Sequence, residues 1–271
     1  MRKSARVNSS LAFFKAEVKK VWSRPILELA VVLLAVISFS GIQTLVWVGA
    51  QSQSQLGFQE LIVNGVSAIM SRQMQPLIIL CSILMSLSFA RDYEQGLLQS
   101  MLSLPISRSS LFATKFLAVI LPLTFLSWGF ILFFSMLNYY SNPVLVIQFS
   151  IVALPIAFLS LLFYGGLATL ISLMLKRTIP SALTAMLAGF FFWFITTLDT
   201  QTIGNTAGFL FLTPYKAPLV LLDRTIGVRY PPGSFESSLP IWIFATLTVI
   251  YALILVFPSF VYFVRRFEVR E

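Results

Sequence analysis

The chain has 271 residues, of which 58% are hydrophobic and 11% charged, and its mean hydropathy is +0.88. This composition excludes an ordinary water-soluble domain and predicts an all-α membrane protein, because a lipid-facing helix needs no polar side to meet water. The net charge of +9 is not arranged as a basic stripe with interleaved aromatics, and histidine is absent, so neither nucleic-acid binding nor histidine-based catalysis is expected.

The first predicted element is an amphipathic helix over residues 10 to 24. Its apolar residues recur at intervals of three and four, whereas lysines and an arginine occupy the rest of the turn. Such a helix is typical of the interface between lipid and water, where apolar groups enter the membrane and lysines reach anionic headgroups. Arg24 and Pro25 predict a break before the first membrane span. The apolar residues are Leu11, Phe14, Val18, Val21 and Trp22.

Six apolar runs are long enough to cross about 30 Å of hydrocarbon, which requires roughly 20 residues. The second run is the weakest, because polar residues crowd one end and Pro76 is expected to interrupt it. No repeat or flexible linker divides the chain, so a single membrane domain over residues 1 to 271 is expected. The predicted spans are approximately 26 to 48, 72 to 90, 114 to 137, 147 to 175, 179 to 198 and 240 to 264.

The distribution of basic residues predicts the orientation of the chain. Six spans place both termini on one side, and fifteen of the nineteen Lys and Arg residues fall in the segments on that side. The positive-inside rule therefore places both termini in the cytoplasm of a multi-pass protein of the cell membrane. A cleaved secretory signal is the alternative for the N-terminus, but the apolar run is too long and the basic lead spans about 25 residues.

A long outer loop, residues 199 to 240, precedes the last span. It contains two apolar stretches, 209 to 212 and 217 to 222, which Pro214 and Pro218 break. We expect this loop to dip back toward the membrane or to cap the bundle from outside.

The segment from residue 91 to 110 connects the second and third spans on the predicted cytoplasmic side. Its middle is expected to form a short amphipathic helix with apolar residues on one face and polar residues on the other. Pro105 is expected to end this helix, and Ser107 or Ser109 to cap the third span. The apolar face consists of Leu97, Leu98, Met101 and Leu102.

The spacing within residues 90 to 115 resembles the signature loop of type-two ATP-binding-cassette (ABC) exporter permeases. An acidic cluster is followed by a glycine, leucines, a proline nine residues after the glycine, a serine and an arginine, and a lysine opens the next span. The six-span layout, the N-terminal helix and the long outer loop extend the resemblance over nearly the whole chain. Leu97 and Gln99 depart from it, since threonine and an acidic residue are common there. The matching residues are Asp92, Glu94, Gly96, Leu98, Leu104, Pro105, Ser107, Arg108 and Lys115.

The resemblance implies that this loop forms a coupling helix, which docks on a separate ATPase subunit and transmits ATP-driven closure to the membrane helices. The chain lacks a G-x-x-x-x-G-K-[ST] motif, so the partner would bind ATP and magnesium, and no catalytic, cofactor or metal residue is expected here. A second copy or a related permease chain would complete the path through the membrane. The residues implied in ATPase coupling are Asp92, Glu94, Gly96, Leu97, Leu98, Met101, Leu102, Pro105 and Arg108.

Three other interpretations compete with this one. A membrane scaffold or assembly factor would use the same loop only for docking, whereas a transporter requires rearrangement that depends on nucleotide. An intramembrane enzyme is disfavoured, because histidine and a paired-carboxylate motif within the spans are both lacking. A copper path is suggested by methionines near Cys81, but methionine in membrane helices more often serves packing.

Overall fold

The computed structural model describes residues 2–52, 58–102, 107–138, 143–197, 212–228 and 239–265. Within these ranges the regular structure is helical, as predicted. Ten helices are assigned there: α1 (Arg2–Val21), α2 (Arg24–Ser52), α3 (Phe58–Ser88), α4 (Ala90–Glu94), α5 (Leu97–Leu102), α6 (Arg108–Asn138), α7 (Pro143–Leu175), α8 (Thr178–Thr197), α9 (Lys216–Ile226) and α10 (Ile241–Arg265).

Within the described ranges, five helices are long and apolar enough to cross a membrane. A sixth is added if the bent pair Ala12–Val21 and Pro25–Ser40, whose axes differ by 68°, counts as one span. This bend lies where Arg24 and Pro25 predict a break. The predicted N-terminal helix begins earlier than residue 10, at Arg2, and it ends at Val21 rather than residue 24.

The second predicted span differs most from its prediction. Its helix, α3, begins at Phe58 and continues through Pro76 without interruption, although Pro76 was expected to break it. Helices α2, α6, α7 and α8 all pack against α3, which makes it the most buried of the candidate spans. Packing from several sides retains the helix on both sides of the proline, as is common for proline in membrane helices.

Helices α7 and α10 come into close contact at Gly166. A Cβ atom at this position would lie 2.7 Å from the backbone nitrogen of Val256 and 2.9 Å from the carbonyl carbon of Leu255. The hydroxyl of Ser259 donates a hydrogen bond to the Gly166 carbonyl at 3.0 Å. The absence of a side chain therefore brings the two backbones into contact, as small residues do in membrane helix pairs.

A buried polar triad joins α2, α3 and α6. The amide nitrogen of Gln73 donates to the Ser38 hydroxyl at 2.7 Å, and the Ser127 hydroxyl donates to the Gln73 amide oxygen at 2.6 Å. All three side chains are buried. The triad pairs both ends of the Gln73 side chain, which avoids the cost of an unpaired polar group away from water.

The predicted outer loop contains helix α9 in its described part, while residues 198–211 and 229–238 lie outside the described ranges. The apolar face of α9 packs against α3, α7 and α10. Ser67 on α3 donates a hydrogen bond to Asp223, and the Tyr215 hydroxyl lies 3.4 Å from the Ser71 carbonyl. These contacts hold the described part of the loop on the helix bundle.

Candidate coupling site

The segment between α3 and α6 forms two short helices rather than one. The first, α4, ends at Glu94, and the second, α5, begins at Leu97. Gly96 lies between them with φ +70°, in the left-handed region that favours glycine. The glycine of the recognised pattern therefore has a structural role, because it lets the chain turn between α4 and α5. Pro105, which was expected to end the helix, lies outside the described residues.

Lys115 on α6 is fully buried directly behind this segment. Its ammonium donates to Oε1 of Glu17 at 2.6 Å, to the carbonyl of Ser88 at 3.0 Å, and to Oδ2 of Asp92. These three acceptors satisfy all three ammonium donors. Ser88 is the last residue of α3, so the lysine also places a cation at a helix C-terminus, where it is favourable.

Asp92 on α4 accepts from two lysines. Its Oδ1 is paired with Lys20 on α1, and its Oδ2 with Lys115. Glu17, Lys20, Asp92 and Lys115 form a group that we call the ion cluster; with two carboxylates and two ammonium groups it is formally neutral. Buried charges are tolerated when they are paired and hydrogen-bonded in this way. The ion cluster joins α1, α4 and α6.

The other side of α4 contacts the connection between α7 and α8. The Glu94 carboxylate accepts from the backbone nitrogen of Thr178 at 3.2 Å and from its hydroxyl at 2.6 Å. Because Thr178 begins α8, this carboxylate caps the helix N-terminus. The Lys176 ammonium lies 4.8 Å from the centre of the Tyr93 ring, within range of a cation–π contact.

A cluster of phenylalanines packs next to the ion cluster. The Phe89 ring, between α3 and α4, lies 5.6 Å from Phe112 and 6.0 Å from Phe263, measured between ring centres. Phe112 also packs against Phe116 at 5.7 Å and Phe260 at 5.5 Å. These contacts extend the connections of the segment to α10.

The predicted coupling residues divide into a buried group and an exposed group. Asp92 and Leu98 are buried, and Met101 and Leu102 pack partly buried against the core. Leu97 was predicted on the same face as these leucines, but 38% of its surface is exposed. Glu94 and Arg108 are also exposed, and Arg108 lies 3.4 Å from the Val264 carbonyl. Arg91, which was not among the predicted coupling residues, is exposed on the same segment.

Sequence reasoning did not identify Glu17 and Lys20 as members of the site. Glu17 lies on the same face of the helix as the apolar residues Phe14, Val18 and Val21, and the other charged residues of this helix are positive. A single acidic residue on an apolar helix face indicates a buried ion pair, so the sequence did contain a pattern from which Glu17 could have been predicted. The proposed capping of the third span is confirmed for Ser107, whose hydroxyl accepts from the backbone nitrogen of Ser110 at 3.3 Å.

Among the described residues, no group of three or more histidine, cysteine, aspartate or glutamate side chains is arranged to hold a metal ion. Methionines Met70, Met74 and Met85 are buried in the hydrophobic core, as is Cys81. Comparison of the sequence with protein-family models and with curated proteins gave no match.

Proposed function

We propose that this chain is the permease subunit of an ABC transporter of the type-two exporter class, which forms the translocation path and is coupled to a separate ATPase subunit. The single observation that carries the proposal is the construction of the α4–α5 segment. Arg91, Glu94 and Leu97 are exposed on it, while Asp92 and Leu98 tie it to the helices behind. A docking element for a moving partner requires an exposed face that the partner can contact. It also requires a buried side that is firmly attached to the rest of the protein.

The attachments of the segment suit the transmission of a rigid-body shift. Asp92 joins it to α1 and α6 through ion pairs, and Glu94 joins it to α8 through two hydrogen bonds. A displacement of α4 would therefore reach helices on both of its sides, since packed elements move as units rather than deforming continuously. The cluster of phenylalanines adds α10 to the helices that respond.

The energy source in this proposal is a partner chain. The sequence has no G-x-x-x-x-G-K-[ST] motif with which to cradle nucleotide phosphates, so ATP and magnesium are assigned to the ATPase. A second copy of the chain, or a related permease, would line the path together with it.

The proposed topology is six spans in the cell membrane, with both termini in the cytoplasm and α1 in the membrane interface. The excess of Lys and Arg on the side of the termini supports this orientation. The exposed lysines Lys15 and Lys19 on α1 suit contact with anionic lipid headgroups. On this orientation the α4–α5 segment faces the cytoplasm, where a soluble ATPase would meet it.

The proposal is tested by isolating the tagged chain in mild detergent from cells that express its natural partners. The native form is compared with an Arg91→Glu, Leu97→Asp double variant, which alters only exposed side chains of the segment. Arg72→Glu with Ile241→Asp, which alters an exposed arginine and an exposed apolar side chain on other helices, is the matched control. Mass spectrometry and ATP hydrolysis identify what is recovered.

The expected result is a P-loop ATPase with the native form and the control, and its loss from the double variant. Recovery of no ATPase with the native form, under conditions that preserve known complexes, would contradict the permease function and favour a membrane scaffold. Equal recovery with the double variant would show that docking occurs elsewhere.

A further inference from the structure

The junction between α1 and α2 is held by an indole hydrogen bond. The Nε1 of Trp22 donates to the carbonyl of Ala118 on α6 at 3.1 Å, and both residues are buried. In an ordinary helix this carbonyl would accept from the backbone N–H four residues later. That residue is Pro122, which has no N–H. The Trp22 indole thus supplies the donor that the proline removes.

The same helix pair meets at a second polar contact one turn away on α6. Lys115 precedes Ala118 by three residues, and its ammonium binds Glu17 on α1. Helix α1 is therefore attached to α6 by a charged contact and by a neutral one. Between them, Val21 is buried in the core.

The charged contact also reaches the α4–α5 segment. Lys20 on α1 and Lys115 on α6 bind the two oxygens of the single carboxylate Asp92. The position of α4 consequently depends on the position of α1, although the phenylalanine cluster and Glu94 hold other parts of the segment. A change at the α1–α2 junction should alter the stability of α4 only if α1 moves as a rigid unit between them.

We propose that Trp22 and Glu17 are positioning residues, which fix α1, α4 and the part of α6 before Pro122 as one body. In this body, the indole bond to Ala118 sets where α1 lies along α6, and α1 in turn sets where Asp92 lies. This role of Trp22 and Glu17 does not depend on the proposed function, because the exposed segment is held in the same way whether its partner is an ATPase or a scaffold protein.

The test is hydrogen–deuterium exchange of the full chain in lipid nanodiscs, without any partner protein. Trp22→Phe and Glu17→Gln are compared with the native chain. Trp242→Phe and Glu28→Gln are the matched controls, since both replaced side chains are exposed. We expect Trp22→Phe to accelerate exchange of the α4 amides by about fivefold to tenfold, the factor that corresponds to losing one buried hydrogen bond. Glu17→Gln should accelerate it more, because it also leaves a positive charge of the ion cluster unbalanced. The controls should leave α4 unchanged.

The decisive result is the response of α4 to Trp22→Phe, because Trp22 binds α6 and has no described hydrogen bond to α4. Faster exchange confined to residues around Trp22 would overturn the inference. An equal acceleration at α9, which packs on a different part of α3, would also overturn it by showing that the whole bundle had loosened.

Repeating the Trp22→Phe comparison in a Pro122→Ala variant distinguishes the effect of the indole hydrogen bond from the effect of indole packing. Pro122→Ala restores a backbone N–H that can bind the Ala118 carbonyl within α6. In that background Trp22→Phe should accelerate α4 exchange less than it does in the native chain. An undiminished effect would show that the indole acts through packing alone, and the proposed role of its hydrogen bond would be rejected.

Discussion

The ammonium of Lys115 lies 2.6 Å from the carboxylate of Glu17, although 98 residues separate them in the sequence. Both side chains are buried, and Asp92 shares the same ammonium. Removing one member of such a group leaves a buried charge without compensation, which costs more than removing an oppositely charged pair together. The ion cluster can therefore be examined by comparing single and paired substitutions.

Lys115→Met is expected to destabilise the chain by about 3–5 kcal/mol, because two buried carboxylates would then face only Lys20. Adding Glu17→Gln should recover part of this loss, since the remaining Asp92 and Lys20 balance each other. Thermal unfolding in detergent, followed by intrinsic tryptophan fluorescence, measures both effects. Lys19→Met, at an exposed position on α1, should change stability by less than about 0.5 kcal/mol. A double variant no more stable than Lys115→Met would contradict the assigned pairing.

Gly96→Ala is expected to destabilise the α4–α5 turn by about 1–2 kcal/mol, because alanine is strained at φ +70°. The neighbouring Gln95→Ala is the control, since Gln95 is exposed and has a φ of −87°. Thermal unfolding of the two variants should separate them. Equal stability would mean that the backbone of the segment readily adopts another conformation.

Gly166→Ala is expected to cost about 1–3 kcal/mol, because the new methyl group would collide with the backbone of α10 at Val256. Gly129→Ala is a closely matched comparison, since no atom lies within 4 Å of a Cβ at that position. The Gly129 variant should be neutral, or more stable by up to about 1 kcal/mol through helix propensity. If both variants unfold at the same temperature, α7 and α10 are not in the close contact described.

Tyr164→Phe is expected to stabilise the chain by about 1 kcal/mol. The Tyr164 hydroxyl is buried, and no group in the described part of the chain forms a hydrogen bond with it; an unpaired buried hydroxyl destabilises the folded protein. Tyr251→Phe should have the opposite sign, because the Tyr251 hydroxyl donates to the Leu212 carbonyl. Thermal unfolding of both variants checks the sign. Destabilisation by Tyr164→Phe would reveal a partner for that hydroxyl, such as a water molecule or a second chain.

The helical class and the position of the apolar helices follow from the sequence, because hydropathy and run length report directly on burial in lipid. The break near Pro25 follows as well, since proline restricts the residue before it. The continuity of α3 through Pro76 does not, because it depends on helices from distant parts of the chain that pack around it. Sequence patterns within one segment indicate its intrinsic conformational preference, whereas the helical conformation of α3 around Pro76 is stabilised by the helices that pack against it.

The candidate coupling site likewise contains features that the sequence predicts and contacts that it does not predict. The spacing of Gly96 with its neighbours predicts a coupling segment, and the left-handed conformation of Gly96 gives a physical reason for a glycine there. The pairing of Asp92 with Lys20, and of Trp22 with Ala118, cannot be inferred from spacing. Each depends on the packing of the α1 region against a helix that lies far away in the sequence.

The connection between α7 and α8 consists of two residues, Lys176 and Arg177, with Lys176 at φ +56°. The Cα atoms of Leu175 and Thr178 are three steps apart along the chain and can separate by at most about 11 Å, so the adjoining ends of these helices stay close together. If the angle between α7 and α8 increases, the distance between the two helices therefore increases most at the ends far from this connection. Glu94 binds at this joined end, so a displacement of α4 would be magnified along about 30 Å of α8, the length of a 20-residue helix.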